Sequence, residues 1–212
     1  MFLEIELKLA IIPSDVPLLH QHYYLLEHTK GPSKPQHLIS TYFDSDDQCL
    51  WKEGLSLRIR EDSKHYIQTA KTTGTREGDL HRRYEWEQDI PTLMPDIKQF
   101  NDKELYQKLD TIIGHKALIE LFRTEIYRTQ WDILINDSKI ELVLDQGYVI
   151  AGAERMPLHE IELELKYGDP NVLNVFASIL RETIPLSVES CSKAERGYAL
   201  CARLKNKSTS CY

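Results

Sequence analysis

Phe2-Leu3-Glu4-Ile5-Glu6-Leu7-Lys8-Leu9 alternates apolar and charged side chains without a break, and Glu160-Ile161-Glu162-Leu163-Glu164-Leu165-Lys166 repeats the pattern near the other end of the chain. A period of two is that of a β-strand, whose successive side chains point to opposite faces. Carboxylates are poor strand formers and like charges side by side repel, so glutamate at every second position needs a reason.

Three further segments divide in the same way. Arg58 and Arg60 oppose Leu57 and Ile59; Arg83, Glu85 and Glu87 share one face of 80–89; Glu141 and Asp145 share one face of 139–145. Two arrangements satisfy five such strands. One is a sheet with a solvated charged face, where exposed ion pairs contribute little. The other is a closed antiparallel barrel with its apolar faces outward beneath helices and its charged faces lining a cavity. Alternation alone fits both. Carboxylates concentrated on two strands, with arginine and lysine spread over the others, suit the second: oxygen donors hold hard divalent cations, and guanidinium groups grip phosphate oxygens in a forked geometry.

Between these strands the pattern predicts a helix over 14–28, with Ser14 as N-cap and Pro17 in its first turn, stopping at Gly31-Pro32. It predicts strands at 37–44 and 55–61, and a hairpin of 66–72 with 80–89 around the loop 74–79. A helix over 102–113 should end at Gly114. A second hairpin of 120–135 and 139–145 turns at Asn136-Asp137-Ser138, and a strand follows at 158–167. Helices complete the chain at 171–182, capped by Asp169-Pro170, and at 193–204. One domain over 1–204 and a polar tail over 205–212 are expected.

The 212 residues, 42% hydrophobic and 28% charged, have the composition of a globular protein, and no apolar run approaches a membrane span. Met1 to Lys8 carry two carboxylates where a secretory leader needs basic then apolar residues, so a cytoplasmic address is expected. Cys49, Cys191, Cys201 and Cys211 lack zinc-type spacing and read as free thiols. A net charge of −7 disfavours nucleic acid, though clustered cations can still bind a small polyanion. The eight histidines contain no His-Glu-x-x-His pattern; His81, two positions before Arg83, could face the cavity. Cys49 and Ser192 lack a neighbouring base and read as structural or capping residues. Trp51, Trp86 and Trp131 read as core or barrel exterior.

The ordered set of motifs resembles the CYTH superfamily, the triphosphate tunnel metalloenzymes. Glu4-x-Glu6-x-Lys8, Tyr42-Phe43-Asp44, Leu57-Arg58-Ile59-Arg60, Thr69-Ala70-Lys71, Arg83-x-Glu85, Phe122 to Arg128, Ile140 to Gly147, Glu160 to Leu165 and Ser192 to Tyr198 follow in the family's order. The likeness covers the chain to about residue 200 and looks nearest to bacterial inorganic triphosphatases. It implies an α+β fold: a closed eight-stranded antiparallel tunnel with helices packed outside, binding a triphosphate with Mg²⁺ or Mn²⁺, at two sites. It implies Glu4, Glu6, Glu162 and Glu164 as metal ligands, with Glu160 and Asp145 as further carboxylates. Lys8, Arg58, Arg60, Lys71, Arg83 and Arg128 would hold phosphate, Lys193 and Arg196 would close the site, and Glu85 would orient the cations. The implied reaction is hydrolysis of tripolyphosphate to pyrophosphate and phosphate by a monomer or homodimer. Thiamine triphosphate or nucleoside triphosphate hydrolysis, class IV-type adenylate cyclisation and noncatalytic polyphosphate binding remain open.

Overall fold

The computed structural model describes residues 1–62 and 65–209. The described residues form ten strands and six α-helices. The strands are β1 (Phe2–Ala10), β2 (Lys34–Asp44), β3 (Leu55–Asp62), β4 (His65–Thr72), β5 (Thr75–Glu77), β6 (Leu80–Ile90), β7 (Ile119–Ile135), β8 (Ser138–Ala151), β9 (Glu154–Tyr167) and β10 (Ser187–Val188). The helices are α1 (Val16–His20), α2 (Tyr23–His28), α3 (Cys49–Lys52), α4 (Lys103–Ile113), α5 (Asn171–Arg181) and α6 (Lys193–Thr209).

Eight strands close an antiparallel ring in the order β1-β9-β8-β7-β2-β3-β4-β6, with Phe2–Leu7 of β1 pairing residues 80–85 of β6 to seal it. The two short strands β5 and β10 lie outside the ring, on β6 and β1. The closed barrel with helices outside is therefore the architecture of this chain.

The apolar faces point outward, as the alternation requires. Leu7, Leu9, Leu142, Leu144, Ile161 and Leu163 pack under Leu173, Phe176, Ala177 and Leu180 of α5, with Leu19 and Leu25 of α1 and α2. On the opposite wall Leu55, Leu57 and Ala70 pack under Leu105, Leu109 and Ile113 of α4. Each fully buried leucine, isoleucine or phenylalanine among them contributes about 1.5–3 kcal/mol. Asp102 starts α4 by accepting hydrogen bonds from the backbone N–H of Glu104 and Leu105.

Several boundaries differ from the sequence reading. The helix expected over 14–28 is broken: a 3-10 turn at Pro13–Asp15 leads into α1, and His22, buried and joining α1 to α2, takes an extended backbone (φ −67°, ψ 119°). Ser14 caps nothing; its hydroxyl donates to Asp15. Part of the loop expected at 74–79 is β5, and the four-residue α3 was not foreseen. The largest difference is that β8 and β9 run on to a tight turn at Gly152 (φ +53°). Helix α6 continues to Thr209, through most of the segment read as a polar tail. Residues 210–212, including Cys211, lie outside the described residues.

Candidate active site

Closure of the ring turns five separate alternations into one lining. Across β1 and β9, Glu6 stands opposite Glu164 and Lys8 opposite Glu162. Across β1 and β6, Glu4 stands opposite Arg83; across β4 and β6, Lys71 stands opposite Glu85. Arg128 faces Asp145, which faces Glu160 on its other side. The result is a cavity of about 200 Å³ whose wall includes Glu4, Lys8, Arg58, Arg60, Lys71, Arg83, Glu85, Arg128, Glu162, Glu164 and Lys193.

The charges form two linked networks. In the first, Lys71 Nζ donates to both Glu4 oxygens at 3.0 and 3.1 Å and lies 2.8 Å from Glu85, while Arg83 bonds Glu4 through Nε and reaches Glu6 at 2.9 Å. Burial would raise the Glu4 carboxyl, but Lys71 and Arg83 hold it well below the ordinary range. Burial would likewise lower the Arg83 guanidinium, and Glu6 and Glu4 hold it well above its usual value. His81 places Nδ1 3.4 Å from Glu6 and Nε2 2.9 Å from the Thr73 carbonyl, so it supports the carboxylate from behind.

In the second network Arg128 grips Asp145 with both Nε (2.7 Å) and Nη2 (2.6 Å) and extends to Glu162 at 3.3 Å. Lys193 Nζ lies 2.7 Å from Asp145, 2.5 Å from Glu160 and 3.0 Å from Glu162. Burial opposes its charge, yet the three carboxylates hold the Lys193 ammonium well above its ordinary value. Glu164 pairs with Lys166 at 2.7 Å, but burial still pushes its carboxyl up to about 7.

Arg60 differs from every other cation of the lining. It forms no ion pair with any described residue, and its Nε is buried without a hydrogen-bond partner. The adjoining Arg58 charge, then burial, then the Arg128 charge pull its guanidinium down to about 10. The Glu87 carboxylate offsets this only in part, and positive charge left in excess beside a cavity favours an anion there.

Helix α6 closes one end. Ser192 and Glu195 form a reciprocal capping box, with Glu195 N–H donating to Ser192 Oγ (3.1 Å) and Ser192 N–H to Glu195 Oε2 (2.6 Å), which fixes where Lys193 leaves the helix. Ser192 is thus a cap, as its sequence context suggested. Gly197 lets the helix approach the wall: a Cβ there would collide with the Phe122 ring, itself stacked on Tyr42 at 4.5 Å. Asp44, fully buried, accepts from the backbone N–H of Ser45, Leu50 and Trp51 and from the Tyr198 hydroxyl, tying α3 to α6. Trp51 stacks on Tyr198 at 4.3 Å, and Cys49 is buried beside Asp44.

The residues expected to form the site stand at this tunnel, but not all reach its cavity. Glu6, Asp145 and Glu160 lie in the wall, at most 1% exposed, and Arg196 pairs with Glu189 while coming within 3.9 Å of Glu160. Among the described residues, the one carboxylate group with metal-ligand spacing is Asp145, Glu160 and Glu162, whose ligand oxygens lie within 4.8 Å of one another. Its donors are all hard oxygens, and Glu160 Oε2 is buried without a hydrogen-bond partner, so the set fits a divalent cation. Glu4, Glu6 and Glu164 do not join that group; arginine and lysine hold them instead. Ser56, Glu87, Glu141 and Lys166 also line the cavity and were absent from the expected site set. Glu87, Glu141 and Lys166 continue the same alternations, and that was the signal that marked them.

Comparison with known proteins places this geometry. The chain is 36% identical to a protein of Haemophilus influenzae named inorganic triphosphatase; the match covers 94% of this chain and 55% of that protein. The chain thus spans about half the length of that curated relative. A solved structure of a Hippeastrum protein, described as a candidate adenylyl cyclase with a dominant triphosphatase activity, superposes with a TM-score of 0.66 at 20% identity, covering 92% of this chain and 95% of that one. A candidate adenylate cyclase from Bacillus halodurans does so with a TM-score of 0.55 at 20% identity, covering 91% and 96%. At these identities the likeness is one of fold. The model of the CYTH domain matches residues 3–198, and with the closed charged tunnel already described, the chain belongs to the CYTH domain family.

Proposed function

We propose that this chain hydrolyses inorganic tripolyphosphate to pyrophosphate and phosphate, with Mg²⁺ or Mn²⁺ at two sites. The observation that carries the reading is the lining itself: an enclosed wall of arginine and lysine interleaved with carboxylates, in which Arg60 forms no ion pair with any described carboxylate. The name of the Haemophilus influenzae relative supports it. So does size, since about 200 Å³ lies below the ~300–1,000 Å³ typical of pockets for drug-sized organic ligands.

Asp145, Glu160 and Glu162 would hold one metal, and Glu4, Glu6 and Glu164 would serve a second. When bound, such ions neutralise phosphate oxygens and lower the pKa of bound water. The chain's own cations do the positioning. Arg58, Arg60 and Arg128 meet the phosphate chain from β3 and β7, Lys8, Lys71 and Arg83 from β1, β4 and β6, and Lys193 from the first turn of α6. Arg196 stands behind Lys193. Fixed in this way, the terminal phosphorus is open to in-line attack by water, and charge that builds on its oxygens meets donors already in place. Glu85 holds Lys71 and Arg58 in position. Free Cys49, Cys191 and Cys201 accord with action in a reducing cytoplasm.

The test is phosphate release from tripolyphosphate, ATP and thiamine triphosphate, each with Mg²⁺, Mn²⁺ or chelator. Turnover of tripolyphosphate that stops on chelation is expected. Turnover of an organic triphosphate alone would overturn the substrate assignment.

A further inference from the structure

The carboxylates spaced to hold a metal already hold a cation, and that cation belongs to the protein. Lys193 Nζ lies 2.5–3.0 Å from Glu160, Asp145 and Glu162, the three members of the group with ligand spacing. An ammonium at hydrogen-bond distance from all three occupies the space a divalent ion would need. Two like charges cannot share it.

The side chain has somewhere else to go. Lys193 also lines the cavity, in the first turn of α6, and the Ser192–Glu195 capping box anchors the backbone beneath it. Rotation of its four-carbon stem can carry the ammonium from the wall to the cavity without moving the helix. In the cavity only another anion can replace three carboxylates as its partner, and a triphosphate supplies one.

We propose that Lys193 is a resident counter-ion that couples the two ligands: triphosphate oxygens draw its ammonium off the Asp145–Glu160–Glu162 group, which then binds a divalent cation more tightly, with Arg128 still paired to Asp145 and Glu162. This deepens, and rests on, the metal-dependent triphosphatase reading. Linkage makes the effect reciprocal, so the metal in turn favours the cavity-facing lysine and hence the phosphate. A free metal ion meets a site that holds the lysine ammonium, whereas metal and triphosphate together meet one from which it has withdrawn.

Calorimetric titration with Mn²⁺, with no phosphate present, tests this on the intact chain. K193M removes the ammonium, and R60M removes a cation of the same cavity that pairs with none of the proposed metal ligands among the described residues. K193M should bind Mn²⁺ at least about 10-fold more tightly than the wild type, within the range usual for coupled sites. R60M should stay within about 3-fold of the wild type, the difference left by general charge. K193Q serves in the same comparison should K193M fail to fold, as judged by its melting transition. Equal Mn²⁺ affinity in the wild type and the Lys193 variant would overturn the inference while leaving the metal reading standing. An equal gain in R60M would overturn it as well, by showing general electrostatics. No Mn²⁺ uptake by any of the proteins would sink the metal reading and the inference together.

Discussion

Gly197→Ala sets two physical effects against each other, and the structure decides the sign. Glycine within a helix costs about 1 kcal/mol relative to alanine, so propensity alone makes the substitution stabilising. The added methyl, however, would lie against three carbons of the Phe122 ring, closer than any real carbon contact. That ring cannot swing aside: it is 1% exposed, stacked on Tyr42 at 4.5 Å and met edge-on by Tyr198 at 5.3 Å. Overpacking of this kind costs about 1–3 kcal/mol, and a confined ring argues for the upper end. The net loss is then about 2 kcal/mol, a fall in Tm of roughly 4–8 °C for a chain of this size. Lys193 precedes Gly197 by one helical turn on the same face, so the displaced helix carries its ammonium away from the tunnel. A shift of about 1 Å can cost about 100-fold in turnover. Thermal melting and phosphate release measure both effects. In an F122A background the same Gly197→Ala change should become stabilising. A single variant that melts at or above the wild type would refute the argument that Gly197 is kept for close approach.

Arg60→Met should leave stability unchanged or raised, because it removes a charge repelled by Arg58 and Arg128. The KM for tripolyphosphate should rise about 10- to 100-fold, the value of one charge-assisted hydrogen bond; a clear drop in Tm would show instead that Arg60 has a structural partner. Glu164 is raised by burial from 4.5 to about 7, so the folded state binds its proton more tightly than the unfolded chain. Its contribution is full below pH 4.5 and lost as pH rises through 7; urea midpoints at pH 5 and 8, in chelator, should therefore differ less in E164Q than in the wild type. Asp44→Ala strands three backbone N–H groups and the Tyr198 hydroxyl, at about 1–3 kcal/mol each where they stay dry. A loss of at least about 3 kcal/mol in urea unfolding is expected, and a loss below about 1 kcal/mol would mean the α3–α6 tie is dispensable.

The barrel was legible wherever its strands alternate strictly. Glu4, Glu6 and Lys8 on β1, Arg58 and Arg60 on β3, and Glu160 to Lys166 on β9 announced a charged face, and the ordered motifs announced that it points inward. What could not be read is equally physical. The strands expected at 139–145 and 158–167 run on through Gly147 and Pro157, and only at Gly152 does the chain turn; Pro157 sits in β9 opposite Tyr148. Periodicity cannot register a helix of four residues such as α3, which exists because Asp44 gathers its N–H groups. Nor does alternation show how far along the bore a residue sits. It could not say that Glu6, Asp145 and Glu160 stand in the wall, or that Lys193 reaches all three of Asp145, Glu160 and Glu162 while Arg196 meets only Glu160 among them.

The seam of the ring governs its assembly. β1 pairs on one side with β6 and on the other with β9, so the earliest-made of the ring's eight strands is complete only when the last of them has followed. The N-terminal half, β1-β6-β4-β3-β2, can form as an open sheet during synthesis, carrying Arg58, Arg60, Lys71 and Arg83 with an unpaired β1 edge. The β7-β8-β9 meander brings Asp145 and the acidic row Glu160 to Glu164. Pairings so distant in sequence are slow to form. Through that interval Glu4, Glu6 and Lys8, charges placed on the waiting edge, discourage it from pairing with another nascent chain. The side chains read here as catalytic machinery thus also act, before any machinery exists, as the edge's protection against aggregation.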